Sequence, residues 1–156
     1  MMRRLILIAA LLLPLAAAAQ APKSKPVEIE ADRMEILDTE KRAIFTGKVD
    51  AKREDVRLTC DRLVAVYAEV KQADGKTKNE VTQLEAEGSV TIVTEKQTIT
   101  GDWAKMDVKA DKLVVGGKVK VVQGETILEG EQLNVDLETD KSEMTGGRVK
   151  GSFVPQ

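Results

Sequence analysis

The chain has no histidine and a single cysteine, Cys60. That inventory excludes a Ser-His-Asp triad, a His/Cys metal centre and an intrachain disulfide framework. Aromatic residues are nearly as scarce. Phe45, Tyr67, Trp103 and Phe153 are the whole set, too few for a platform on which nucleic-acid bases stack. Positive charge is not in surplus either. Lys and Arg number 24 against 26 Asp and Glu, a formal net charge of -2. This is a mixed, soluble surface rather than the basic footprint of a nucleic-acid binder. A Gly-rich phosphate loop is missing as well: GGKVK at 116–120 lacks the spacing and runs into alternation, not a helix. No cofactor or metal is expected. At 156 residues, one domain is the expectation.

The one long hydrophobic run is at the start. Met1-Met2-Arg3-Arg4 is basic, Leu5 to Ala19 is uninterruptedly apolar, and Ala17-Ala18-Ala19 fits a small-x-small cleavage site before Gln20. Fifteen apolar residues fall short of the roughly 20 that span a bilayer. The expectation is therefore a cleaved signal peptide at 1–19, a polar linker at 20–26 and one exported domain at 27–154.

Within that domain the chain alternates. Val27, Ile29 and Ala31 are separated by Glu28 and Glu30; Val56, Leu58 and Cys60 are separated by Arg57 and Thr59. Such alternation marks strands with one buried face. It also repeats. VEIEADRMEI (27–36), VRLTCDRLVA (56–65), QTITGDWAKM (97–106) and TILEGEQLNV (126–135) align without gaps on the acidic residues Asp32, Asp61, Asp102 and Glu131. Each unit closes on a glycine two residues ahead of a valine, at Gly47, Gly88, Gly117 and Gly147. A polar insertion near 70–80, with its Asp74-Gly75 turn signal, lengthens the second unit.

Stacking the units produces apolar columns. Ile29, Leu58, Ile99 and Leu128 form one; Met34, Leu63, Ala104 and Leu133 another; Ile36, Ala65, Met106 and Val135 a third. Val49, Val90, Val119 and Val149, with Phe45 ahead of them, supply a fourth wall. The acidic residues sit where the alternation slips, at a bend or bulge. The glycines are expected to bend the strand too, and parity with Phe45 and Val49 puts Gly47 on the inward face. Cys60 reads as a small buried hydrophobe. Four strand-bend-strand units give an all-β fold, and both a jelly roll and a β-solenoid satisfy this pattern.

The repeated IEADRM, LTCDRL and ITGDWA elements, the F-x-G-x-V of FTGKV and the DRLVAVY stretch at 61–67 together resemble the periplasmic lipopolysaccharide-transport proteins of the OstA-like, LptA type. The resemblance spans about 27–151. It implies an open, twisted β-jelly roll in the periplasm, non-enzymatic, that holds the lipid A acyl chains of lipopolysaccharide in an apolar trough. Partners implied are inner-membrane anchored and outer-membrane components of the same fold, with head-to-tail self-association among the arrangements. Expected trough residues are Ile29, Met34, Ile36, Phe45, Val49, Leu58, Leu63, Ala65, Val90, Ile99, Met106, Val119, Leu128, Leu133 and Val135. Expected docking edges are Val27, Ile29 and Ala31 at one end and Val149, Gly151 and Phe153 at the other, because uncapped edges recruit strands. The competing readings are a structural exported β-repeat, filament-like or adhesin-like, with a filled core, and a carbohydrate-active enzyme on a β-solenoid. Against the enzyme, the acidic residues recur once per unit, as a fold element does.

Overall fold

The computed structural model describes residues 26–155. The expected signal peptide and all of the expected linker except Pro26 lie outside the described residues. Ten strands follow one another: β1 Glu28–Glu30, β2 Arg33–Leu37, β3 Arg42–Arg53, β4 Val56–Lys71, β5 Thr77–Val93, β6 Thr98–Asp107, β7 Lys112–Gln123, β8 Thr126–Asp136, β9 Lys141–Thr145 and β10 Lys150–Ser152. The regular structure between β2 and β3 is one short 3₁₀ turn at Asp38–Glu40.

All strands join one sheet in the order β1-β3-β4-β5-β6-β7-β8-β10, with β2 also on β3 and β9 also on β8. Pairing is antiparallel throughout. A β-solenoid would stack parallel strands from successive coils, so the two architectures that the periodicity left open are separated here in favour of the open jelly roll. The sheet does not close. β1 and β2 form one edge, broken in the middle, and β9 and β10 form the other.

The middle break recurs in every strand and divides the sheet into two layers. In β3, Thr46 pairs with Arg62 and Val49 with Cys60, so Gly47 and Lys48 together oppose only Asp61. The same two-against-one step places Gly88-Ser89 opposite Asp102, and Gly117-Lys118 opposite Glu131. Both residues of each pair are left-handed, for example Gly117 at φ 72 and Lys118 at φ 48. In the last unit the left-handed pair is Gly146-Gly147, one residue earlier than the repeat suggests. A bulge of this kind kinks each strand at one level, so the whole sheet folds along that line.

The bulge also corrects the facing of the glycines. A Cβ on Gly47 would lie 2.7 Å from Asp32 Oδ2, and one on Gly117 would lie 2.5 Å from Asp102 Oδ2. Gly88 stands in the same way against Asp61, and Gly147 against Glu131. All four acidic residues are solvent-exposed. The glycines therefore point at the outer, acidic side and not inward, because parity assumes one residue per step and the bulge inserts an extra one. The two columns read separately from the sequence are one feature: acid on one strand, glycine against it on another.

Folding the sheet brings the inner faces of its two layers together. Val49, Ala51, Val90, Ile92, Ile99, Val119 and Val121 from the first layer pack with Leu63, Ala65, Leu84, Ala86, Ala104, Leu113, Val115, Leu133 and Val135 from the second in one cluster. Among the described residues no polar or charged side chain is buried. The tips of the second layer are tied by backbone bonds, Tyr67 N to Lys41 O at 3.0 Å, Val108 N to Thr82 O at 3.0 Å and Leu137 N to Asp111 O at 2.8 Å.

Candidate functional site

The site is the space between the two layers. Its floor is the bulge line, its walls are the inward columns, and its mouth lies where the turns of one layer face those of the other. The walls alternate inward apolar and outward charged residues along each strand, so the inner surface carries Val, Ile, Leu, Met and Ala almost alone.

Of the expected trough residues, Val49, Leu63, Ala65, Val90, Ile99, Val119, Leu133 and Val135 are buried inside, and Leu63 is fully enclosed. Ile29, Phe45, Leu58, Met106 and Leu128 pack against them at the margins and are half-buried. Met34 and Ile36 depart from the expectation, at 57% and 58% exposed. They pair with Phe45 and Ala43, so they stand on the inward side of the sheet. Their exposure follows from position: β2 is an edge strand, and among the described residues no strand lies beyond it.

The interior is tight in the middle of the sheet and open toward the mouth. A small cavity of about 60 Å³ lies among Leu58, Leu84, Ala86, Ile92, Ile99, Ala104, Met106 and Leu113. A groove of about 850 Å³ opens beside it, walled by Met106, Val121, Leu128, Leu133, Val135 and Leu137. The groove's lips are polar. The first-layer lip carries Arg53, Glu54, Asp55, Glu95 and Lys96; the second-layer lip carries Asp111 and Asp140.

Two ion pairs cross that mouth. Arg53 donates from Nη1 to Asp111 Oδ1 at 3.3 Å, and Lys96 Nζ lies 3.6 Å from Asp140 Oδ2. None of these four residues stood out in the sequence reading. A signal was present: Asp107-Val-Lys-Ala-Asp111 and Asp136-Leu-Glu-Thr-Asp140 are matching turns. In both, the first aspartate accepts from two following backbone N–H groups, and the last aspartate is left-handed, at φ 51 and φ 56. Aspartate tolerates that conformation better than most residues.

Burial pushes the Cys60 thiol up to about 11, with the charge of Asp61 adding to it, and its sulfur donates weakly to the Arg62 carbonyl at 3.4 Å. That environment suits an inert packing residue, not a nucleophile. On the outer surface, Arg57 holds the Asp50 carboxyl below its ordinary range through two hydrogen bonds, one of them from Nε at 2.9 Å. Among the described residues no group of His, Cys, Asp and Glu could hold a metal ion, and no helix is long and apolar enough to cross a membrane.

The expected docking residues fall at the two ends of the strand order. Ile29 lies in β1, flanked by Val27 and Ala31, and pairs with Ala51. Gly151 lies in β10 and pairs with Leu128. Val149 and Phe153 are 47% and 68% exposed on either side of it. The insertion near 70–80 is the far end of the β4–β5 hairpin, which runs past its neighbours: β3 pairs with β4 only as far as Val66, and β6 with β5 only as far as Gln83.

Residues 28–141 match the model of a family described as LptA/(LptD N-terminal domain) LPS transport protein. An uncharacterized protein of Rhizobium meliloti is 28% identical over 140 residues, which is 88% of this chain and 75% of that protein. LPS-assembly protein LptD from Neisseria meningitidis is 25% identical over 105 residues, 67% of this chain but only 12% of LptD. Among solved structures, LptH of Pseudomonas aeruginosa superposes with a TM-score of 0.71 at 16% identity, covering 84% of this chain and 96% of LptH. LptH is described as the LptA homologous periplasmic component of the lipopolysaccharide transport device. At that identity the likeness carries the fold alone.

Proposed function

The chain belongs to the LptA/LptD N-terminal family and has a role in lipopolysaccharide transport; from that premise we propose that it is a periplasmic carrier holding acyl chains between its two layers. The observation that supports this reading is the apolar interior, which has no buried polar group among the described residues and opens into a groove large enough for alkyl chains. Each methylene moved from water onto such walls contributes about 0.8 kcal/mol. Several chains would therefore be held without any directed polar contact, and the phosphorylated sugars would remain outside the mouth. In the same reading the broken edges, β1–β2 and β9–β10, are where like-folded domains join end to end by strand addition. No step asks for a catalytic residue, and the family is one of transport proteins, not enzymes.

A second reading, a filled structural repeat without ligand, is favoured by one observation: Leu63, Val115 and Val49 are at most 1% exposed, so the middle rungs are already packed. The two readings part at defined positions. Met106 lines both the small cavity and the groove, and Lys105 beside it faces solvent. A photo-crosslinking residue placed at Met106 should form lipopolysaccharide adducts in cells, and so should one at the inward, exposed Ile36. The outward neighbours Lys105 and Glu35 should form none. Folded protein without adducts at either inward position would leave the filled repeat standing and reject the carrier.

A further inference from the structure

We propose that the mouth of the groove is the port through which acyl chains enter sideways, and that the Arg53–Asp111 and Lys96–Asp140 ion pairs are latches that hold the two layers together across it. The inference rests on the carrier reading and adds a route and a control to it.

Three features of the structure carry the argument. First, the latch partners come from opposite layers. Arg53 ends β3 and Lys96 lies in the β5–β6 turn, both at first-layer tips; Asp111 and Asp140 close the β6–β7 and β8–β9 turns of the second layer. These pairs cross the mouth, whose lips Arg53, Lys96, Asp111 and Asp140 form around the groove of about 850 Å³. Second, the acids sit on a firm rail. Asp107 and Asp136 brace the two turns from within, and Leu137 N donates to Asp111 O at 2.8 Å, tying one turn to the next. Third, the layers have one line about which to part: the bulges at Gly47, Gly88 and Gly117, where each strand already changes direction. A chain that reaches past the groove into the packed middle of the sheet needs the layers to part, and the latches are what oppose parting at the far side from that line.

The test uses the full mature chain and a neutral probe, a long-chain alcohol bearing a pyrene, followed by stopped-flow fluorescence. An uncharged probe removes direct attraction to either lip. Deleting the latch from the acidic side, Asp111→Asn with Asp140→Asn, and from the basic side, Arg53→Gln with Lys96→Gln, should each speed uptake by about threefold to tenfold, the scale of two solvent-facing ion pairs. Asparagine keeps the left-handed turn, so the first pair of changes leaves the rail intact. The charge-keeping pair Arg53→Lys with Lys96→Arg should load at the wild-type rate. Acceleration from only one side, or from neither, overturns the latch while the carrier reading stands. Uptake by no variant and by no wild-type protein removes the groove reading, and the latch falls with it.

Discussion

Replacing Gly117 by alanine tests the acid–glycine column more sharply than any other single change. The new Cβ would stand 2.5 Å from Asp102 Oδ2, 2.6 Å from its Cβ and 2.9 Å from its Cγ, in a residue held at φ +72. Two costs are therefore mixed: left-handed strain, about 1–2 kcal/mol for a residue with a Cβ, and overpacking against a short, stiff neighbour, typically about 1–3 kcal/mol. Loss of unfolded-chain freedom returns about 0.4–1 kcal/mol, which leaves a net destabilisation of about 1–5 kcal/mol, centred at about 3. Gly75 separates the terms. It sits at φ +83 in the β4–β5 turn with nothing within 4 Å of its would-be Cβ, so Gly75→Ala should cost only the strain, about 1 kcal/mol or less after the same correction. Gly147→Ala should fall between them, because its nearest neighbours, Glu131 Cδ and Oε1 at 2.9 Å, are the movable end of a longer side chain. Urea unfolding with unchanged m-values measures all three. A cycle adding Asp102→Gly should show coupling of about 1–2 kcal/mol with Gly117→Ala, since removing the aspartate removes the clash. Equal losses for Gly117→Ala and Gly75→Ala, or a cycle that is simply additive, would refute the paired column.

Two further outcomes follow from the titratable groups. Cys60 should alkylate slowly in the native protein. A rise from 9.0 to about 11 cuts the thiolate present at pH 8 by about a hundredfold. The greater nucleophilicity of the more basic thiolate recovers about tenfold, so iodoacetamide should react at least about tenfold faster in urea than in buffer. Equal rates would show the thiol to be accessible. Asp50 is the opposite case: its folded pKa is lowered by Arg57, so its contribution is present above the unfolded value of about 4 and is lost as pH falls through the lower folded value. Asp50→Asn should therefore flatten the acid limb of stability below about pH 4; an unchanged urea midpoint profile in that range would dismiss the pair as a stabilising contact.

The strand faces could be read from the sequence because alternation ties each residue to a side. Val49, Leu63, Ile99, Val119 and Leu133 all stand inward and buried. The facing of the glycines could not, since a period of two counts one residue per step and the bulge spends two. The bend itself was legible; that the acid on one strand fills the space left by the glycine on another was not, because that contact depends on register between strands. Layer-to-layer contacts lay further out of reach. Arg53 and Asp111 are 58 residues apart, and nothing in a strand pattern states which tips will meet once the sheet folds over. The matching turns that end in Asp111 and Asp140 were the one available clue. Exposure at Met34 and Ile36 was hidden for a simpler reason: a column shows which side a residue faces, but its cover comes from the next strand, and at an edge there is none.

That edge bears on how the proposed end-to-end joining would be oriented. At the β1–β2 edge the apolar wall runs out uncovered through Met34 and Ile36; at the other, Val149, Phe153 and Val154 stand exposed. A strand added at either edge would continue the rungs, since each edge strand repeats the bent form of those inside. The charges distinguish the pairings. Within β1 stand the exposed Glu28 and Glu30; just before β10 stands the exposed Arg148 and within it the exposed Lys150. Two N-terminal edges brought together would set glutamates against glutamates, and like charges directly opposite one another on paired strands are destabilising. Joining the N-terminal edge of one copy to the C-terminal edge of the next sets acid against base and keeps the apolar wall unbroken across the joint. A contact of that kind uses different surfaces on its two sides and leaves a free edge at each end of a joined pair, so the repeat that builds one chain would extend through the next as a single trough.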